Sequence, residues 1–173
     1  YLLVSQNIGE MHRMADLANT DMLTELYNKR YFDTIMNMRA QRGKAFALIF
    51  MDLDFFKPVN DIYGHPVGDE VLRNVGKRII NSIRTADYAF RIGGDEFACI
   101  LDGSVDEEKC LESIDRLKKV INSPYNIHGH KIKIGVSCGY ALYPSDADTV
   151  ESLLKIADRR MYAEKEKHHE DGR

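Results

Sequence analysis

The sequence predicts an α+β fold built on an antiparallel sheet, and three observations lead there. Ala45 to Met51 is the longest purely apolar run in the chain, bounded by charge, as suits a buried strand. Tyr88 to Ile92 and Phe97 to Leu101 are short β-type runs on either side of Gly93-Gly94. Adjacent glycines readily take positive φ, so this pair reads as the tight turn of a hairpin. Stretches with helical apolar spacing alternate with these runs. With the first helices set aside the order is βαββαβ, the ferredoxin-like arrangement, in which an antiparallel sheet carries its helices on one face.

Taken in order, residues 1 to 19 read as an N-terminal helical extension. Tyr1, Val4, Ile8, Met11, Ala15, Ala18 and Met22 follow alternating three- and four-residue steps. That heptad seam either pairs with a second helix as a coiled coil or packs on its own domain. Asp21 to Arg30 is a break, after which Asn28 caps a helix from Lys29 to about Arg42. Gly43 ends it and the apolar strand follows. Phe55 to Asp61 is expected to be a short turn rather than regular helix throughout, because Pro58 lacks an N–H. Gly64 to Asp69 reads as a second irregular piece. From there to about Arg84, Val71, Leu72, Val75, Ile79 and Ile83 give helical spacing. The hairpin comes next. Leu111, Ile114, Leu117 and Ile121 mark a helix over Val105 to Asn122. Lys131 to Tyr143 alternates as a strand, with Tyr125 to Ile127 as a hairpin partner. Val150 to about Lys167 is the last helix.

Length and composition bound the possibilities. The 173 residues suit one domain, with 44% apolar and 29% charged residues in an ordinary globular balance. A net charge of −3 offers no general polycation to a nucleic acid polymer. No run approaches the ~18 apolar residues of a membrane span, and no signal peptide is visible. Cys99, Cys110 and Cys138 are odd in number and widely spaced, which suits a reduced, cytoplasmic domain. The opening without an initiator Met points to a piece of a longer protein, which could carry a membrane anchor elsewhere.

The chemistry concentrates at Gly93-Gly94-Asp95-Glu96. A hairpin tip with two adjacent carboxylates beside side-chain-free backbone can admit a phosphate and hold the metal ion that accompanies it. Asp52 is expected to emerge at the end of the apolar strand and converge with Asp95 if strand and hairpin pair. Such oxygen ligands suit Mg²⁺, which takes one or two carboxylates plus substrate phosphates. Standing alone, the acids could be a solvated tip. His65, His128 and His130 have no metal-ligand company.

Several stretches together resemble the GGDEF family of diguanylate cyclases. They are Asp21-x-Leu23-Thr24, Asn28-Lys29-Arg30, Asp52-x-Asp54-x-Phe56-Lys57-x-x-Asn60-Asp61, Gly64-His65-x-x-Gly68-Asp69, Arg91-x-Gly93-Gly94-Asp95-Glu96-Phe97, Ser137-x-Gly139 and Ala157-Asp158-x-x-Met161-Tyr162. They run in order and at family spacing from Asp21 to about Lys165. The resemblance implies a nucleotidyl-cyclase-like domain over 21–173, preceded by a signalling or coiled-coil helix over 1–20. It also implies a reaction joining two GTP into cyclic di-GMP, with release of two pyrophosphates, between two facing domains of a homodimer. An upstream sensory domain is implied in the full-length protein.

The implied roles follow residue by residue. Asp52, Asp95, Glu96 and the Leu53 carbonyl would hold two Mg²⁺ or Mn²⁺ per half-site. Asp95 would lie nearest the attacking 3′-hydroxyl, and Glu96 would serve the second metal or act as base. Gly93 and Gly94 would let phosphates approach, and Phe55, Phe56 and Lys57 would offer backbone N–H groups to the β- and γ-phosphates, their phenyl rings lying in the core. Asn60 and Asp69 match the guanine-reading pair, Asp69 accepting from N1–H and the 2-amino group. Lys165 matches a phosphate-binding lysine. Glu164 stands where the family commonly has Ala, and His169 where an arginine often lies, which loosens the expected hold on the triphosphate tail. Arg84-x-x-Asp87 matches an inhibitory product site, with Arg116 as a second arginine. The alternative function is a non-catalytic GTP or cyclic di-GMP receptor; a partner-binding module using only the helix seam explains none of the nucleotide residues.

Overall fold

In a computed structural model of the chain, residues 18–103 and 105–171 are described. The elements are α1 (Lys29–Gln41), β1 (Phe46–Asp54), α2 (Phe56–Tyr63), α3 (His65–Ile80), β2 (Tyr88–Arg91), β3 (Glu96–Asp102), α4 (Glu107–Ile121), β4 (Tyr125–Ile127), β5 (His130–Ile132), β6 (Gly135–Tyr143) and α5 (Val150–Asp171). The main sheet has the order β2-β3-β1-β6, every neighbour antiparallel. This is the predicted ferredoxin-like arrangement.

Strand β1 explains why helices cover both faces, where one covered face was expected. It has no polar side: eight of its nine residues are buried. Side chains alternate across a strand. Ala47, Ile49, Met51 and Leu53 therefore enter one core, under the crossover helices α3 and α4. Phe46 and Leu48 enter the other, formed with Phe32, Ile35 and Met36 of α1 and Leu153 and Ala157 of α5. The motif's own helices do share one face; the flanking α1 and α5 close the second.

Helix α1 starts as predicted, with the Tyr31 N–H donating to Asn28 Oδ1 at 3.0 Å. Two segments expected to be irregular are helical instead. Pro58 is the third residue of α2 and Pro66 the second of α3. In a first turn the N–H has no intrahelical partner, so a proline there removes nothing. Gly64 (φ +85°) is the whole break between the two helices. Helix α3 ends at Ile80, short of Arg84. The stretch from Lys131 is two strands: β5 pairs with β4 as a separate hairpin, and β6 begins at Gly135. That hairpin turns through His128 (φ +49°) and Gly129 (φ +81°), the double positive φ of a tight primed turn.

Strand β6 is an edge, and its outward backbone groups are covered by side chains. Cys138 N–H donates to Glu164 Oε2 at 2.5 Å, Tyr140 C=O accepts from Arg160 Nη1 at 2.8 Å, and Leu142 N–H donates to Asp146 Oδ2 at 2.8 Å. Gly139 lets α5 lie against this strand: a Cβ there would meet Ala157 O at 2.1 Å and Met161 N at 2.2 Å. The three cysteines are buried and unpaired, and burial pushes the Cys110 and Cys138 thiols up to about 12. No helix among the described residues is long and apolar enough to cross a membrane. The expected coiled-coil seam lies outside the described residues up to Ala15; Met22, at its end, is 82% exposed.

Candidate active site

Sheet register brings the acids together. Asp52 in β1 stands directly opposite Glu96 in β3, and opposite Ser137 on its other side. Residues directly opposite in an antiparallel pair share a face. Leu53 N–H donates to the Asp95 carbonyl at 3.1 Å. A strand residue presents its N–H and C=O to the same edge, so the Leu53 carbonyl also faces the hairpin tip.

The acids crowd one another. Burial pushes the Asp52 carboxyl up, and Asp95 and Asp54 push it further, against a hydrogen bond from Lys165. Burial likewise raises Glu96, followed by the charges of Asp52, Asp95 and Asp158. Lys165 Nζ lies 2.5 Å from Asp52 Oδ1, and this hydrogen bond holds the ammonium above its ordinary range although burial opposes it. The lysine stands in for a cation at the carboxylate expected to bind one. Among the described residues no group of three His, Cys, Asp or Glu side chains is placed so that it could hold a metal ion by itself; Asp52 and Glu96 meet as a pair. Mg²⁺ takes one or two carboxylates when substrate phosphates complete its shell, so it does not require three. Carboxylate oxygens of this kind are donors that suit a hard divalent cation.

The glycines of the tip act differently from expectation. Neither Gly93 nor Gly94 has positive φ. At Gly93 a Cβ would lie 2.5 Å from Glu96 Oε2, so the missing side chain is what lets that carboxylate fold back over the turn. At Gly94 nothing lies within 4 Å, which leaves bare backbone open to a ligand.

A cleft of about 350 Å³ opens beside the tip, lined by Phe56, Lys57, Asn60, Asp69, Leu72, Arg91, Gly94 and Asp95. Six of these were expected at a nucleotide site: Phe56, Lys57, Asn60, Asp69, Gly94 and Asp95. Phe56 is buried in the core as expected, but the Phe55 ring is 48% exposed. Phe55 takes the left-handed conformation (φ 59°, ψ 27°) at the start of α2, whose N-terminus has no side-chain cap among the described residues. A bulky residue held there signals a backbone fixed by its surroundings.

Three relationships were not read from the sequence, although all of their residues except His168 lie in the quoted motifs. Arg91 Nη2 donates to the Gly94 carbonyl at 2.9 Å and Nε to that of Gly93 at 3.1 Å, while Nη1 reaches Asp21 Oδ1 at 3.2 Å. Asp21 Oδ1 also accepts from Thr24 N–H and Oγ1–H at 2.9 and 2.7 Å. The hairpin tip is thereby tied to the segment that precedes α1. Asp54, 2% exposed, accepts from Ser137 Oγ at 2.7 Å, and His168 Nδ1 lies 2.8 Å from its second oxygen. Asp158 lines a smaller cavity of about 170 Å³ with Glu96 and Met161. Glu164 pairs with Lys118 and with the edge of β6. The side chain of His169 lies outside the described residues.

Arg84 and Asp87 line a separate cavity of about 130 Å³ with Asp102 and Lys109. Asp87 is held from both sides, by Arg84 N–H and Asp102 N–H, each at 3.0 Å. Arg116 does not line this cavity; its Nε donates to the Ser82 carbonyl at 2.8 Å.

Comparison with known proteins agrees with this geometry. The family described as "Diguanylate cyclase, GGDEF domain" matches residues 18–171. The chain is 38% identical over 157 residues to the bifunctional diguanylate cyclase/cyclic di-GMP phosphodiesterase MucR of Pseudomonas aeruginosa, covering 88% of this chain and 23% of that protein. It is 35% identical over 157 residues to the response regulator PleD of Caulobacter vibrioides, covering 87% and 34% respectively. The chain thus spans about a quarter to a third of these relatives. Among solved structures, the coiled coil and GGDEF domain of DgcB from Caulobacter crescentus, in complex with c-di-GMP, superposes with a TM-score of 0.83 at 26% identity, over 96% of this chain and 90% of that one.

Proposed function

The chain belongs to the GGDEF-domain family of diguanylate cyclases, and from that premise we propose that it condenses two GTP molecules into cyclic di-GMP and releases two pyrophosphates. Each copy binds one GTP in the cleft beside the hairpin tip, and two copies meet face to face. The 3′-hydroxyl of one GTP attacks the α-phosphorus of the other, and pyrophosphate leaves.

Asn60 and Asp69 read the guanine. Asp69 selects against adenine, which lacks the N1–H and 2-amino donors and would leave the carboxylate unpaired. The N–H groups at Phe55, Phe56 and Lys57, the open backbone at Gly94, and Lys165 receive the phosphates. Asp52, Asp95, Glu96 and the Leu53 carbonyl hold the cations; Glu96 serves the second of them or acts as base. Two Mg²⁺ or Mn²⁺ ions, when bound, neutralise phosphate charge and sharpen the attacking hydroxyl. The rest is positioning and electrostatics. Product returns to Arg84 and Asp87 and slows the enzyme. The cytoplasm is the compartment this reading assigns, with a sensory domain upstream and pairing through the N-terminal helix.

The observation that carries this reading is the pairing of Asp52 with Glu96 beside Asp95, which itself lines a cleft together with Asn60 and Asp69. Incubation of concentrated protein with GTP and Mg²⁺ should yield cyclic di-GMP on chromatography. Asp52→Asn should lose at least ~100-fold in rate. Nucleotide binding without turnover at high protein concentration would replace this reading with that of a receptor.

A further inference from the structure

The elbow between α2 and α3 contains a contact that sets the guanine reader. The chain leaves α2 at Tyr63, turns through Gly64 and enters α3 at His65. Gly64 N–H donates to the Asn60 carbonyl at 2.9 Å, closing the last turn of α2, and Gly68 N–H to the Gly64 carbonyl at 3.1 Å, opening the first turn of α3. Across this single-residue break the side chain of Asn60 lies against α3 at Gly68. A Cβ on residue 68 would lie 1.8 Å from Asn60 Oδ1 and 2.9 Å from its Cγ, with the Phe56 ring at 3.4 Å. Gly68 itself is buried and does not have positive φ. Its backbone thus needs no glycine, and the helix would favour alanine there. The space occupied by the Asn60 amide is what excludes a side chain.

We propose that Gly68 is a positioning residue for guanine recognition: its missing side chain is the seat that holds the Asn60 amide at the cleft. This rests on the reading of Asn60 as a guanine contact. A methyl group at position 68 displaces only the end of a flexible side chain, so the helix pair keeps its packing while Asn60 leaves its place. Stability and recognition therefore move apart at this position.

The test is a double-mutant cycle on Asn60→Ala and Gly68→Ala. The probe is GTP carrying a methylene bridge between the α- and β-phosphorus, titrated calorimetrically in the presence of Mg²⁺. Inorganic tripolyphosphate serves as a second probe, of the phosphate end alone. Gly68→Ala should melt no lower than the parent, weaken the GTP analogue about five- to tenfold, and leave tripolyphosphate binding unchanged. In the Asn60→Ala background, Gly68→Ala should weaken the analogue no further. If Asn60→Ala weakens the analogue and Gly68→Ala does not, this proposal fails and the guanine reading stands. If Asn60→Ala binds normally, the guanine reading of Asn60 fails. A Gly68→Ala protein that unfolds, and is not rescued by adding Asn60→Ala, would show that more than one amide occupies the space, and would overturn the proposal.

Discussion

Lys165 Nζ rests on Asp52 Oδ1 at 2.5 Å, joining the last helix to the first strand across 113 residues of sequence. The ammonium neutralises a carboxylate that burial and two neighbouring acids make costly to ionise. On the proposed reading, a divalent cation arriving at Asp52 would have to displace it, which would free the lysine for phosphate.

Lys165→Met should therefore have opposite effects on the two ligands. Without the competing ammonium, Mn²⁺ should bind the nucleotide-free protein about threefold more tightly, the scale of a modest ion pair. Binding of the α,β-methylene GTP analogue should fall about tenfold, the scale of a hydrogen bond to a charged group. Paramagnetic resonance titration reads the first and calorimetry the second. A loss of Mn²⁺ affinity would show that the lysine does not compete at Asp52.

The link from Asp21 to Arg91 gives a pH-dependent prediction. Burial pushes the Asp21 carboxyl up, but the two Thr24 hydrogen bonds and the Arg91 charge outweigh it, and the net shift is downward. A depressed carboxyl stabilises the fold above its unfolded value, and that stability is lost as pH falls through the folded value. Asp21→Asn should cost about 1–2 kcal/mol at pH 7, and denaturation curves of the two proteins should converge as pH falls below the ordinary aspartate range. A difference that persists undiminished in acid would exclude the ionic part.

Gly139→Ala tests the seating of α5. The added methyl group meets backbone atoms of Ala157 and Met161, which cannot rotate away. Overpacking of this kind should cost about 3 kcal/mol, read as a lower denaturant midpoint at unchanged slope.

Arg84→Ala should leave the initial rate of cyclic di-GMP formation unchanged and remove its slowing as product accumulates. Progress curves with and without added product measure this. Arg116→Ala should act more weakly, because Arg116 lies outside the cavity that Arg84 and Asp87 line.

Much of this was legible in the sequence because it is local. The apolar run ending at Asp52, the paired glycines before Asp95 and the Asn28 cap each carry their own signal within a few residues. The helices after Phe55 were misread because Pro58 and Pro66 look like breakers until the helix start is known; in a first turn they break nothing. The second covered face of the sheet was implicit in the unbroken apolar run, since a strand with no polar side is buried on both. The glycines at the tip were expected to supply positive φ, and they supply room instead. Least legible were the links from Arg91 to Asp21, Lys165 to Asp52 and His168 to Asp54. They join residues 70, 113 and 114 positions apart, and only the folded sheet brings them together.

The side chains along β6 have one more consequence. An unprotected strand edge invites a neighbouring chain to add its own strand, and molecules that gather often would then fuse into ribbons. With Glu164, Arg160 and Asp146 already bonded to that edge, copies that crowd together can separate again with their sheets intact.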